Sequence, residues 1–112
     1  MTPAPPPWSR LFRPRSVAVV GASPKPGSYG LQAMRYLQCF PGSADVWPVT
    51  PSHAEVLGLR CYPEVAALPR APDVAILLLG SERLPAAVEA CAAVGVAFAI
   101  LPGDLPRSRW AD

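Results

Sequence analysis

With 112 residues, 51% of them hydrophobic and 16% charged, the chain has the size and make-up of one domain with a single buried core, not of a disordered segment. A formal net charge of +2 gives no electrostatic case for nucleic acid, and no apolar run reaches the length of a membrane span. The three cysteines, Cys39, Cys61 and Cys91, are odd in number and form no CxxC pair, which argues against a disulfide framework or a zinc site and for a reducing cytoplasm.

Residues 1–9 are rich in proline and read as an extended arm, without the basic-then-apolar pattern of a secretory signal. Trp8, Leu11 and Phe12 bring apolar bulk that is expected to cover one end of a sheet. Residues 17–20 are four apolar side chains, mostly β-branched and too few for a helix, so they predict a buried strand of a parallel sheet. That strand ends at Gly21, and the loop that follows carries Ala22, Ser23, Lys25, Gly27 and Ser28 before the pattern turns helical at Tyr29 and Gly30. Strand, glycine-bearing loop and helix N-terminus in succession form an anion site. Main-chain N–H groups without intrahelical partners, the positive end of the helix dipole and glycines that admit close approach all favour a phosphate. Lys25 is the sole lysine of the chain, and it falls in this loop.

The predicted helix runs to residue 39, with Leu31, Met34 and Leu37 as its packing stripe, Ser28 as N-cap and Pro41-Gly42 as its stop. Gly30 is expected to lack a side chain because the helix passes close to the first strand there. Residues 46–49 predict a second strand, whose Pro48 requires an outward-facing position or a strand end. Thr50, Pro51, Ser52 and His53 follow at the carboxyl end of that strand, the end where open parallel sheets bind ligands, and are a second candidate contact. Residues 59–62 predict a short extended piece and 63–68 a short helix with proline at its first position. Residues 74–79 predict a strand deep in the sheet, 84–94 a helix with Leu84, Val88 and Cys91 on one face and Gly95 as its cap, and 96–101 a fourth main strand closed by Pro102-Gly103.

This alternation predicts right-handed βαβ crossovers and an α/β, Rossmann-like, doubly wound, mainly parallel sheet with helices on both faces. Residues 10–103 form the expected domain and 104–112 a tail. Four main strands make a thin sheet with an unprotected edge, so the chain reads as a piece, truncated from a longer protein or pairing its edge with another subunit.

A nicotinamide dinucleotide fits these loops poorly. The usual GxGxxG is stretched to Gly21, Gly27 and Gly30, and the second strand ends on Thr50-Pro51-Ser52-His53 where a ribose-binding acid is needed. His53 has no Ser, Cys or carboxylate placed by sequence to act with it and reads as a loop residue or an adenine neighbour, not a catalyst. Tyr29 is suited to stacking on a ligand ring or to covering the sheet.

The series LFRPRSVAVVGAS, GSYG, VWPVTPSHAEVLGLRCYPEVAALPRAPDVAILLL and LPAAVEACAAVGV resembles the CoA-binding domain that opens NDP-forming acyl-CoA synthetases, among them acetate-CoA ligases and the succinyl-CoA synthetase α subunit. It is also similar to small stand-alone CoA-binding proteins of that superfamily. The resemblance covers residues 10–101. It implies coenzyme A as ligand, its phosphates held by the loop from Gly21 to Ser28, its nucleotide contacted by Thr50 to His53, and Gly80 and Ser81 lining the site. It further implies partnership with other synthetase domains or subunits, and a phosphorylated catalytic histidine that belongs to a following domain and is not His53. The sequence departs from the family where its second loop often reads NPK, leaving His53 as the only candidate substitute for the lysine cation there, and where SAGF is common, replaced by Pro102-Gly103-Asp104. Two functions follow: a non-catalytic CoA-binding module of a synthetase, or a stand-alone CoA or nucleotide sensor.

Overall fold

The computed structural model describes residues 13–39 and 44–101. The expectations for the proline arm, for Trp8, Leu11 and Phe12, for Pro41-Gly42, for Pro102-Gly103 and for the tail 104–112 lie outside the described residues. The described elements are β1 (Ser16–Val20), α1 (Tyr29–Cys39), β2 (Asp45–Val49), β3 (Glu55–Val56), β4 (Leu59–Arg60), a 3-10 turn (Val65–Ala67), β5 (Val74–Leu77), α2 (Leu84–Val94) and β6 (Phe98–Ile100).

Four strands form a parallel sheet in the order β2-β1-β5-β6, while β3 and β4 pair as a separate antiparallel hairpin. The chain leaves β1 toward β2, then crosses back past β1 to β5. The winding direction therefore reverses between β1 and β5, which opens a crevice at the carboxyl ends of those strands.

Alternation along each strand divides the core into two layers. Ala18, Val20, Trp47, Val49, Ala75 and Leu77 face α2 and the 3-10 turn, together with Val65, Leu68 and Cys91. Val19 faces the other way, with Leu31 and Met34 of α1 and with Val56 and Cys61 at the hairpin. Helices thus cover both faces of a Rossmann-like sheet. Every residue of β1 is buried, as a central strand covered on both sides must be.

Pro48 sits in an outer strand, and its orientation explains why it is tolerated. The Pro48 carbonyl accepts from the Tyr62 N–H at 2.9 Å, and the Thr50 N–H donates to the Tyr62 carbonyl at 2.8 Å. Positions 48 and 50 therefore face away from β1, so the missing proline N–H interrupts no bond of the main ladder. Tyr62 forms an isolated parallel bridge to Val49.

Several predicted elements are trimmed or altered. The strand expected over 74–79 ends at Leu77; the Leu78 N–H still reaches the Val20 carbonyl at 2.8 Å, but β1 turns away at Gly21 and offers no further partner. The fourth main strand shortens to Phe98–Ile100, and the helix expected over 63–68 is a 3-10 turn. The hairpin strand Glu55–Val56 has no counterpart among the predicted elements. On α2, Val88 is 40% exposed, and Ala87 packs in its place beside Leu84, Cys91 and Val94. The stripe steps by three at that turn, not by four. No helix among the described residues is long and apolar enough to cross a membrane.

Candidate functional site

The junction between β1 and α1 is built from two glycines packed against each other. Gly21 has φ +97°, a left-handed value, and a Cβ there would strike the Leu78 carbonyl oxygen at the end of β5. A Cβ on Gly30 would strike the Gly21 carbonyl oxygen and come within 2.9 Å of the Ser23 nitrogen. The first turn of α1 consequently rests on the end of β1, as the sequence led us to expect of Gly30.

Between the glycines, the loop is held by its own polar groups. Ser23 Oγ accepts from the Lys25 N–H at 3.0 Å, and the Lys25 carbonyl accepts from both the Ser28 N–H (3.2 Å) and the Ser28 hydroxyl (2.8 Å). Ser28 Oγ in turn accepts from the Leu31 N–H at 3.2 Å, the expected N-cap. Both donors of Ser28 are therefore engaged within the loop, whereas the Ser23 hydroxyl is used as an acceptor and retains its proton for another group. The Gly30 N–H lies ahead of the first intrahelical bond, from the Gln32 N–H to the Ser28 carbonyl at 3.2 Å.

A cleft of about 640 Å³ opens over this junction, lined by residues from the loops after β1, β2 and β5. Of the predicted contacts, Gly21, Ala22, Ser23, Lys25, Gly27, Ser28, Tyr29, Thr50, Ser52, His53 and Gly80 line it; Pro51 and Ser81 do not. Thr50 Oγ1 accepts from the Ser52 N–H at 3.3 Å, which folds the second loop toward the crevice and, as at Ser23, leaves the hydroxyl proton available.

Five lining residues lie outside the predicted contacts, Gly30, Leu78, Leu79, Glu82 and Arg83, while Pro26 falls within the Gly21–Ser28 loop. Leu78 and Leu79 were absorbed into an over-long strand. Arg83 had a readable signal, since it stands between the third main strand and its helix, at the same end of the sheet as the glycine loop. In the cleft the Lys25 and Arg83 side chains come together with the His53 imidazole and one carboxylate, Glu82. Asp45, by contrast, begins β2 at the opposite end of the sheet and binds Arg70 Nη2 at 2.9 Å.

Comparison with known proteins agrees with this architecture. Residues 15–108 match the family described as CoA binding domain. The chain belongs to that family. Over 92 residues this CoA binding domain is 41% identical to the ADP-forming acetate-CoA ligase I of Archaeoglobus fulgidus, a match that takes in 82% of the chain and 13% of the ligase. Among solved structures it superposes on the dinucleotide-forming acetyl-coenzyme A synthetase 1 of Ca. Korarchaeum cryptofilum, determined with phosphate and ADP, at a TM-score of 0.78 and 38% identity, covering 81% of this chain and 20% of that one. It also superposes on a hypothetical protein from Pyrococcus horikoshii OT3 at a TM-score of 0.70 and 32% identity, covering 86% of this chain and 72% of that one. The CoA binding domain therefore spans between a fifth and an eighth of the two synthetases, but most of the smaller protein.

Proposed function

We propose that this chain binds coenzyme A in the cleft at the carboxyl ends of β1, β2 and β5, as the CoA-binding module of an NDP-forming acyl-CoA synthetase. One observation carries the reading: the open cleft sits at the winding reversal of the sheet and is lined jointly by Gly21, Ser23, Lys25 and Gly30 at a helix N-terminus and by Thr50, Ser52 and His53. The phosphates rest on the first junction, the nucleotide lies toward Thr50, Ser52 and His53, and Gly80 bounds the remaining side. In the whole enzyme the CoA thiol attacks the acyl carbon of an acyl phosphate, forming the thioester and releasing phosphate. This module holds and orients CoA for that attack and supplies neither nucleophile nor base. The cytoplasm is its proposed compartment, and its outer strand edge the proposed contact with further synthetase domains or subunits.

Ligand binding to the folded state raises the melting temperature by mass action. CoA and dephospho-CoA are expected to raise it while NAD and NADP leave it unchanged, and a preference for NAD would overturn the reading. Lys25→Ala is expected to weaken CoA binding several-fold in a titration; equal affinity would remove that side chain from the site.

A second reading, a stand-alone CoA or nucleotide sensor, is supported by the 72% coverage of the smaller Pyrococcus protein. A reading frame that continues past Asp112 into a phosphohistidine domain favours the synthetase, and a stop codon favours the sensor.

A further inference from the structure

Among the described arginines Arg83 is the one that lines the cleft, and, like Arg13 and Arg35, its side chain is not tied to a described partner as those of Arg15, Arg60 and Arg70 are. Arg15 Nε lies 3.4 Å from Asp73 Oδ2, Arg70 bonds Asp45 and covers the Trp47 ring at 4.9 Å, and Arg60 lies over the Tyr62 ring at 5.4 Å. The Arg83 guanidinium has no hydrogen bond, ion pair or ring contact among the described residues, and it lines the cleft. Its main chain is nevertheless anchored. The Arg83 N–H donates to the Gly80 carbonyl at 2.9 Å, its carbonyl accepts from the Ala87 N–H at 3.1 Å, and the residue caps α2 without using its side chain. A fixed Cα thus presents an uncommitted guanidinium to the cleft.

The topology assigns that guanidinium a particular part of the ligand. Lys25 enters from the loop after β1 and Arg83 from the loop after β5, so the two cations flank the crevice where the winding reverses. Thr50, Ser52 and His53 come from the loop after β2, on the far side of β1 from Arg83. A ligand whose nucleotide lies toward β2 therefore brings its diphosphate, and not its ribose phosphate, between Lys25 and Arg83. The chemistry agrees: a diphosphate diester carries two charges, one for each cation. A guanidinium offers a planar fork of N–H donors that can hold two phosphate oxygens at once, which the Lys25 ammonium cannot do.

We propose that Arg83 is a further ligand-binding residue of this cleft, closing on the diphosphate of coenzyme A from the bank opposite Lys25. The assignment rests on the CoA reading of the cleft and can fail separately from it. Calorimetric titration of the full chain and its Arg83→Ala and Arg83→Lys variants with CoA and with dephospho-CoA tests it. Arg83→Ala is expected to weaken both ligands by the same factor, about tenfold or more, and Arg83→Lys to recover only part of the loss. Melting temperatures of the variants within a few degrees of the parent's are expected, because the side chain is exposed and the cap is made by the main chain. Undiminished binding of CoA by Arg83→Ala overturns the assignment while leaving the CoA reading intact. A loss confined to CoA, with dephospho-CoA unaffected, overturns it too, because Arg83 would then be reading the ribose phosphate. If the unsubstituted chain binds neither ligand, the reading of the cleft falls and the assignment falls with it.

Discussion

Gly21 and Gly30 show why the loop after β1 cannot be read as a generic glycine turn. Gly27, at φ +81°, has open space where a Cβ would go and needs only its backbone conformation, whereas the other two are pressed against main-chain atoms of β5 and of each other. Gly21→Ala is therefore expected to destabilise the fold by about 2 kcal/mol or more, from a left-handed φ together with a collision at the Leu78 carbonyl. The measurement is a urea melt, and an unchanged midpoint would show that the junction is looser than its geometry implies. The same scale separates the two serines. The Ser28 hydroxyl is consumed by the Lys25 carbonyl and the Leu31 N–H, so its work is to cap the helix, while Ser23 and Thr50 keep a proton to donate. Sequence placed all three at the site and assigned Ser28 its capping role, as observed; that Ser23 and Thr50 keep a proton depends on how their loops close.

The hairpin β3–β4 is only half legible in the sequence: the extended piece expected over 59–62 contains β4, whereas β3 has no counterpart. Its strands are two residues long, too short for alternation to register, and its tip is Leu57-Gly58, both with positive φ, of +51° and +78°. Leu57 is the one non-glycine residue in that region among those described, and at 39% exposed it is not a core side chain whose full burial would offset the strained backbone. Two central residues of positive φ call for Asn followed by Gly. Leu57→Asn is expected to stabilise the protein by about 0.5–1 kcal/mol, visible as a higher melting temperature, and a lower one would mean that the Leu57 side chain contributes packing at the tip. At the amino-terminal end of the main sheet, β1 and β5 start in register because Asp73 Oδ2 accepts the Arg15 N–H at 2.8 Å while the Asp73 N–H reaches Ser16 Oγ at 3.2 Å. That pairing spans more than fifty residues of chain, and no local pattern announces it.

At the scale of the whole molecule, Cys61 and Cys91 report on the two core layers, the first on the α1 side and the second on the α2 side. Burial raises both thiols above the ordinary value of 9.0, and for Cys61 the Glu55 carboxylate adds to the effect. An upward shift of an acidic group in the folded state makes its contribution to stability complete below pH 9.0 and progressively lost above it, as the thiols of the unfolded chain ionise first. A disulfide reagent at pH 8 is expected to label exposed Cys39 rapidly and the other two only as the chain unfolds; rapid labelling of Cys91 would mean that the α2 layer opens on its own. By itself the sequence determined the alternation of strands and helices, the glycine loop with its capped helix, and the end of the sheet at which the candidate contacts gather. These follow from periodicity, capping and turn chemistry, which act between near neighbours. Tertiary structure alone decided that β5 lies against β1, that Ala87 packs where Val88 was expected, and that Arg83 shares a cleft with Lys25 and His53. Those outcomes depend on strand order and helix rotation, and both are settled by packing between segments that are distant in the chain.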